Sequence, residues 1–370
     1  MSLSIGIIGL PNVGKSTLFN ALVKNAQAEV KNFPFTTIEP NVGIVSVPDE
    51  RLRHLAEIEH SQKVIPTTIK FVDIAGLIKG AHKGEGLGNQ FLSHIREVDA
   101  ICLVLRAFED KDTVHVEGSL DPNRDAQTII TELALADLQM ISSIKERLQS
   151  DAKKNGKDGD EAKLVLRIID RVSPALDKGQ LVKIDDFDKN ECKLIKKYLP
   201  LLTIKPILVA LNVGEGQAGE HPLDLSQKYN LDKFLPEKTS FITICAKSEA
   251  ELIDLPESEQ ADYLNLMGLK ESGLKKLARE AYKLLGLVTF FTAGEKEARA
   301  WTIRFGAKAA AAAGVIHTDF AQKFIKAEVV AYDDFVKHEG WRGSAAAGKL
   351  RLEGKEYVVR DGDVIFFRHG

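Results

Sequence analysis

The amino-acid sequence predicts an α/β fold: a P-loop NTPase core of the GTPase type with a mostly parallel sheet. Three observations support this. Short apolar runs, beginning at 4–9, alternate with helical stretches, beginning at 15–24. Near-continuous apolar strands separated by helices are typical of a parallel sheet covered on both faces. A glycine-rich loop follows the first run, and an acidic residue ends the second run at 69–72, while 100–105 and 207–211 continue the pattern.

The composition indicates a folded protein of several domains. At roughly 100–200 residues per domain, the 370 residues correspond to two or three domains. With 28% charged and 44% hydrophobic residues and a net charge of −3, the chain resembles neither a disordered protein nor one that coats nucleic acid through bulk charge. Its three scattered cysteines form neither a disulfide framework nor a zinc knuckle. No apolar run reaches the roughly 18 residues that span a bilayer, so we expect no membrane binding. We also expect a cytoplasmic protein that does not bind DNA.

The pattern of apolar and polar residues changes at two points and divides the chain into segments. Two helical stripes joined by a polar turn predict an antiparallel helical hairpin, at 125–203, inserted into a nucleotide-binding domain that covers 1–275. From about residue 287 the sequence turns to short β-prone runs, which predict a separate small α+β domain over 287–370. That domain has 13 basic and 11 acidic residues, a net charge of +2. We expect one of its helices to start with Thr318 or Asp319 as the cap.

The phosphate site is predicted by a complete G-x-x-x-x-G-K-[ST] motif at Gly9–Thr17. A strand precedes it and a helix follows it, which is the context that the motif requires. Glycines allow backbone N–H groups to close around phosphate oxygens, and the helix N-terminus adds positive potential. Lys15 would reach the β and γ phosphates, and Ser16 would hold Mg²⁺.

A second motif, D-x-x-G, follows the next strand. Asp73 can hold the Mg²⁺ shell through water, and the N–H of Gly76 can reach the γ phosphate. Between the two motifs, a threonine could complete the metal shell when nucleotide is bound, and we favour Thr37 over Thr36. These parts predict switch loops that become ordered around the γ phosphate.

The residue after Gly76 departs from the usual GTPase pattern. GTPases of the Ras type have a glutamine there that orients the attacking water, whereas this chain has Leu77. Hydrolysis must then depend on another residue, an ion or a partner, and the unaided rate should be slow. His82 and His115 are the polar candidates, and we favour His115 because it follows a strand that should end at the nucleotide face.

The motif that would read the base also departs from the usual GTPase pattern. Guanine-specific proteins use N-K-x-D after a strand, but here the strand at 207–211 leads into Asn212, Val213, Gly214 and Glu215. Valine replaces the lysine whose stem covers the base, and glutamate is one methylene too long for the same bidentate contact. A lost bidentate base contact is worth about 1–3 kcal/mol of discrimination. The motif therefore favours ATP over GTP, and Asn212 could also tie its loop to the phosphate loop.

These motifs together resemble the YchF group, the Obg-like ATPases. The resemblance covers nearly the whole chain and is carried by Gly9–Thr17, Asn32–Pro40, Asp73–Asp99 and Asn212–Glu215. The sequence departs from the family pattern at 305–313 and 341–347, where alanine-rich stretches stand in place of more polar loops.

The resemblance implies specific site residues and partners. Asn12, Val13, Gly14, Lys15, Ser16 and Thr17 would bind the triphosphate, Ser16 and Thr37 would ligate Mg²⁺, and Asn212 and Val213 would contact adenine. The last domain would be a TGS domain with a β-grasp fold, and the protein would associate with ribosomes through RNA or protein.

We therefore predict an ATPase with weak intrinsic activity that converts ATP and water to ADP and phosphate. Lys15 and His115 are its candidate catalytic residues, with Mg²⁺ as the cofactor. Two alternatives remain. One is a GTPase or base-indifferent NTPase, and the other is a non-catalytic module in which nucleotide gates binding to ribosomes or RNA.

Overall fold

The computed structural model describes residues 3–30, 41–74, 87–109 and 119–370. The strands in these ranges are β1 (Ser4–Ile8), β2 (Val42–Ser46), β3 (Val64–Ile65), β4 (Thr68–Asp73), β5 (Ala100–Arg106), β6 (Ile207–Asn212), β7 (Ser240–Ile244), β8 (Leu287–Ala293), β9 (Ala298–Arg304), β10 (Phe324–Ala331), β11 (Arg351–Glu353) and β12 (Asp363–His369). They form two six-stranded sheets.

The helices of the described ranges lie between these strands. They are α1 (Lys15–Val30), α2 (Glu50–Ile58), α3 (Leu87–Glu97), α4 (Pro122–Asp151), α5 (Lys157–Asp177), α6 (Lys189–Tyr198), α7 (Pro222–Lys228), α8 (Ala246–Asp254), α9 (Glu257–Leu266), α10 (Gly273–Leu284), α11 (Ala309–Ile316), α12 (Thr318–Gln322), α13 (Tyr332–Lys337) and α14 (Trp341–Ala346). Among the helices described here, none has both the length and the apolar character that crossing a membrane requires.

The described residues group into two compact units. The first unit consists of the described residues within 1–25, 38–43 and 70–277, and the second, which we call the C-terminal unit, of those within 26–37, 44–69 and 278–370. The grouping does not follow chain order, because a segment between the two phosphate-site motifs belongs to the C-terminal unit.

The first sheet has the order β2-β4-β1-β5-β6-β7. β1 pairs in parallel with both β4 and β5, and β6 pairs in parallel with β5 and β7. All residues of β5 and β6 are buried, as expected for central strands with both faces covered. The predicted α/β core with a mostly parallel sheet is confirmed. Its geometry brings the carboxyl ends of β1, β4, β5 and β6 to the same edge, where α/β proteins bind ligands.

The helical hairpin consists of α4 and α5, whose apolar stripes share one hydrophobic cluster. Asp121 caps α4 by accepting a hydrogen bond from the Arg124 N–H. Fully buried Asp137 anchors α4 to the chain before β6, accepting from the Leu202 N–H at 2.8 Å and from the Thr203 N–H and hydroxyl at 2.9 and 2.7 Å. These three donors satisfy a carboxylate whose pKa burial raises.

The C-terminal unit contains a mixed sheet of order β11-β10-β12-β8-β9-β3. Neighbouring residues Phe290 and Phe291 point to opposite faces, and each enters a different hydrophobic cluster. On the Phe290 face the cluster includes Ala309, Ala312 and Ala313 of α11. On the Phe291 face, the cluster draws its side chains from α2 and α13 as well as from the sheet, and its buried members are Leu52, Leu55, Ala56, Phe291, Ala298, Ala300, Val330, Phe335 and Val364.

The structure decides two local expectations for the C-terminal unit. The run at 309–313, which the sequence left open as a helix start or a loop, begins α11, and the stretch at 341–347, expected as a loop, is mostly occupied by α14. Alanine has the highest intrinsic helix propensity, and the buried alanines of α11 also pack against the sheet. The cap of α12 is neither Thr318 nor Asp319. It is His317, whose Nδ1 accepts from the Asp319 N–H at 3.2 Å.

Replacing Leu55 by alanine tests whether α2 is part of the C-terminal core. Leu55 is fully buried beside Phe291 and Phe335, so Leu55→Ala should lower the free energy of unfolding by about 2–5 kcal/mol. Both tryptophans of the chain, Trp301 and Trp341, lie in this unit. Urea unfolding followed by tryptophan fluorescence therefore reports on it.

The matched control is Leu266→Ala, because Leu266 is 88% exposed. That variant should unfold at the same urea concentration as the wild type. An unchanged midpoint for Leu55→Ala would mean that α2 does not stabilise the C-terminal unit.

Candidate functional site

The phosphate loop connects buried β1 to α1 through two residues with positive φ. Asn12 has φ 65° and Gly14 has φ 88°. A Cβ on Gly14 would lie 2.1 Å from the Asn212 Nδ2, and a Cβ on Gly9 would lie 2.8 Å from the Val104 carbonyl oxygen. Both glycines of the motif are therefore needed for close backbone packing, and Gly14 is needed for its conformation as well.

Lys15 and Asp73 form an ion pair at this edge of the sheet. The lysine is 8% exposed, and a nearly buried ammonium group requires a charged partner. Asp73 ends β4, and the parallel register places it opposite Ile7 at the end of β1. The structure thus brings together the two charged groups predicted at the phosphate and metal positions.

The oxygen donors predicted for Mg²⁺ suit that ion. Ser16 is exposed at the first turn of α1, directly after Lys15, and Asp73 supplies a carboxylate. Within the described ranges no group of three or more His, Cys, Asp or Glu side chains could enclose a metal. Few protein ligands are typical for Mg²⁺, which keeps several waters and substrate phosphate oxygens in its shell.

Asn212 ties three elements together at the end of β6. Its side chain is 3% exposed, its Nδ2 donates to the Val13 carbonyl at 2.9 Å, and its Oδ1 accepts from the Ala246 N–H at 3.0 Å. The amide therefore joins the phosphate loop to the start of α8, which is the tie that the sequence had suggested. One N–H of Nδ2 satisfies the contact with Val13, and an amide nitrogen carries two.

The two residues that depart from the guanine-reading motif have different surroundings. Val213 is 2% exposed, and its N–H donates to the Ile244 carbonyl. The Glu215 carboxylate lies 2.9 Å from the Lys247 Nζ on α8. Their hydrogen bond raises the pKa of Lys247. The carboxylate that stands where guanine-specific proteins have aspartate is therefore already paired with a cation.

Sequence analysis missed Arg106, which is the last residue of β5, and Phe108, which follows β5 at the same edge. Arg106 is 3% exposed, and it donates from Nη1 to the Asn12 carbonyl at 3.4 Å and from Nε to the Phe108 carbonyl at 3.1 Å. Its guanidinium lies 4.6 Å from the centre of the Phe108 ring. The available signal was an arginine and an aromatic residue directly after an apolar strand run.

Several predicted site residues lie outside the described residues. They are Thr36, Thr37, Gly76, Leu77, His82 and His115. Their assigned roles stay predictions.

Comparison of the sequence with known families gives two matches. Residues 4–134 match the family described as a 50S ribosome-binding GTPase (MMR_HSR1). Residues 287–370 match YchF-GTPase_C, described as a protein of unknown function (DUF933).

Relatives match over the full length of the chain. The ribosome-binding ATPase YchF of Haemophilus ducreyi is 50% identical over 368 residues, covering 100% of this chain and 99% of its own. The protein of the same name from Bacillus subtilis is 49% identical over 372 residues, with the same coverage. The solved structure of the Schizosaccharomyces pombe YchF GTPase has a TM-score of 0.88 at 37% identity and covers 99% of this chain and 98% of its own.

Replacing Gly14 by alanine should impair nucleoside triphosphate binding. The new Cβ would meet the Asn212 amide in a backbone conformation that L-residues rarely adopt, a strain of about 1–3 kcal/mol. Isothermal titration calorimetry should show an affinity at least about tenfold lower. Gly219→Ala is the control, because nothing lies within 4 Å of a Cβ there. Equal affinities for the two variants would contradict the packing argument.

Proposed function

This chain belongs to the YchF family, and from that premise we propose that it is a P-loop switch protein that binds ATP, hydrolyses it slowly and associates with ribosomes. Curated relatives with about half their residues identical carry the name ribosome-binding ATPase. The choice of ATP over GTP rests on the contacts and burial of Asn212, Val213 and Glu215. Association with ribosomes would place the protein in the cytoplasm.

The preference for adenine follows from how these residues are engaged. A guanine reader needs a free carboxylate that accepts two hydrogen bonds from the base. Glu215 is paired with Lys247, so reading guanine would first require that ion pair to break. Asn212 keeps its fold-stabilising contacts and can offer its second N–H to a purine ring nitrogen.

Phe108 is our candidate for the apolar cover of the base. The buried Val213 side chain cannot extend over the base as a lysine stem does. Phe108 is partly buried beside Gly214, which follows β6. A Cβ added to Gly214 would lie 3.9 Å from the Phe108 Cβ. An aromatic ring stacked on a base is worth about 1–3 kcal/mol.

The phosphate loop would hold the triphosphate through backbone N–H groups at Asn12–Thr17 and through Lys15. Ser16, Thr37 and, through water, Asp73 would hold Mg²⁺, which neutralises phosphate charge when bound. The Lys15 ammonium lies beside Asp73, and it would turn to the β and γ phosphate oxygens as these arrive.

Hydrolysis should be slow because Leu77 cannot orient a water molecule. We propose that His115 supplies the missing polar group, and that Gly76 holds the γ phosphate through its N–H. A lysine at the phosphates and a backbone cradle stabilise charge without activating water. The chain would therefore remain in its ATP state for long periods, as a switch requires.

Paired calorimetric titrations with ATP and GTP in Mg²⁺ test the base assignment. The wild type should bind ATP at least about tenfold more tightly than GTP, in line with the discrimination that base-edge contacts provide. Glu215→Asp combined with Lys247→Met shortens the carboxylate and removes its partner, so the preference should move towards GTP. Glu220→Asp on the neighbouring turn is the control. Tighter GTP binding by the wild type would refute the assignment.

The alternative within the enzyme class is a GTPase or a base-indifferent NTPase. One observation favours it: the S. pombe structure of the same fold carries the name GTPase. The non-catalytic alternative, in which nucleotide only gates binding to ribosomes or RNA, is compatible with Leu77, since slow hydrolysis is enough for a switch.

Binding to ribosomes should depend on salt. Contacts of lysine and arginine with RNA phosphates release counterions, so affinity falls as salt rises. In sedimentation through a sucrose cushion, the fraction that travels with ribosomes should fall steeply between 50 and about 200 mM salt. Absent or salt-independent binding would count against an RNA contact, and the latter would indicate a contact with ribosomal protein.

A further inference from the structure

Residues 44–69, which we call the strap, lie between the two phosphate-site motifs in sequence but belong to the C-terminal unit. Both ends of the strap meet one hydrogen-bond network of that unit. The central members of this network, which we call the clamp, are Tyr282, Thr289 and Asp361.

The first end of the strap is held through Arg51. Its guanidinium donates to both oxygens of Asp49 and, at 2.7 Å, to the Asp361 Oδ2. It also lies 5.1 Å from the centre of the Phe291 ring. The other oxygen of Asp361 accepts from the Thr289 N–H at 2.8 Å. Hydrogen bonds between charged groups are shorter and stronger than neutral ones, and this one links Arg51 of α2 to the clamp, while solvent screens the half-exposed Asp361.

The second end of the strap is held through Thr67, which is 7% exposed. Its hydroxyl contacts the Thr302 hydroxyl on β9. Tyr282 reaches Thr302 at 3.3 Å and Thr289 at 2.8 Å through one phenol oxygen. Burial raises the pKa of the Tyr282 phenol above its ordinary value. Within the strap, β3 adds to this attachment by pairing in parallel with β9.

The strap continues directly into the nucleotide site. β4 begins one residue after Thr67 and ends at Asp73, the partner of Lys15. The Val47 N–H donates to the Thr67 carbonyl at 2.9 Å, and the Asp73 N–H donates to the Asn41 carbonyl at 2.9 Å. β4 therefore ends at a member of the phosphate-site ion pair, and directly before its first residue lies Thr67, whose hydroxyl contacts Thr302, a hydrogen-bond partner of Tyr282 in the clamp.

We propose that the strap and the clamp form a conformational relay, in which the state of the Lys15–Asp73 pair is passed along β4 through Thr67 to the C-terminal sheet. The inference rests on the proposed ATP binding. When Lys15 turns to the phosphates, Asp73 exchanges its direct contact with the ammonium group for a water-mediated contact with Mg²⁺, and β4, which ends at Asp73, adjusts to this change. A buried hydroxyl network cannot lose one member without leaving another unsatisfied, so it favours discrete arrangements over gradual ones.

Hydrogen–deuterium exchange of the full chain tests the relay. With saturating Mg²⁺ and a non-hydrolysable ATP analogue, amides in 287–293 and 298–304 should exchange at least about fivefold more slowly than with ADP, the lower end of typical coupling between sites. Calorimetry on the same samples verifies binding.

Two variants remove the hydroxyls on which the relay depends. Tyr282→Phe keeps the ring but loses both hydroxyl contacts, and Thr67→Val keeps the branched shape. Each should bind the ATP analogue and retain a folded fluorescence spectrum, yet lose the difference in exchange between the two nucleotide states. Tyr198→Phe is the matched control, since that phenol donates to Glu161 on the helical hairpin, and it should keep the difference.

The outcomes separate the relay from the proposed function. Equal exchange with the two nucleotides in a wild type that binds ATP would overturn the relay and leave the proposed function intact. A difference that persists in both variants would overturn it as well. If calorimetry shows no ATP binding, the proposed function fails and the relay fails with it.

Discussion

The buried Asn212 amide is the contact on which the candidate site depends. It lies where the central strand of a parallel sheet ends, and it links the phosphate loop to the start of α8 with one donor and one acceptor. Since both backbone partners are buried, loss of either bond would leave a polar group unsatisfied. The same residue thus holds the fold of the site and is the one that we propose contacts the base.

Charge at this edge of the sheet is arranged in pairs. Lys15 is balanced by Asp73, and Glu215 is balanced by Lys247. The first pair is nearly buried at the edge of the sheet where we propose that phosphates and Mg²⁺ bind. The second pair is exposed, so solvent screens it and it contributes little to stability. In the proposed preference for ATP, this pair engages a carboxylate that is already one methylene too long for the guanine contact.

The C-terminal unit is built from two separate parts of the chain. Leu52 and Leu55 of α2 complete an apolar cluster on one face of its sheet, and β3 lengthens the same sheet by one strand. Because α2 and β3 lie between the two phosphate-site motifs in sequence, the nucleotide site and the C-terminal sheet are joined by covalent structure within a few residues. This insertion is the part of the chain through which we propose that the nucleotide site and the C-terminal sheet are coupled.

The α/β core, the phosphate loop and the charged residues Lys15 and Asp73 could all be predicted from the sequence. Continuous apolar runs, helical apolar stripes and a motif such as G-x-x-x-x-G-K-[ST] are local patterns, so they can be interpreted before the fold is known. The sequence did not predict that Glu215 pairs with Lys247 or that Arg106 and Phe108 lie beside the site. Tertiary structure also assigned 44–69 to the C-terminal unit. Those features depend on contacts between residues far apart in the chain. A local sequence pattern does not specify which strand, helix or charged residue will lie next to it.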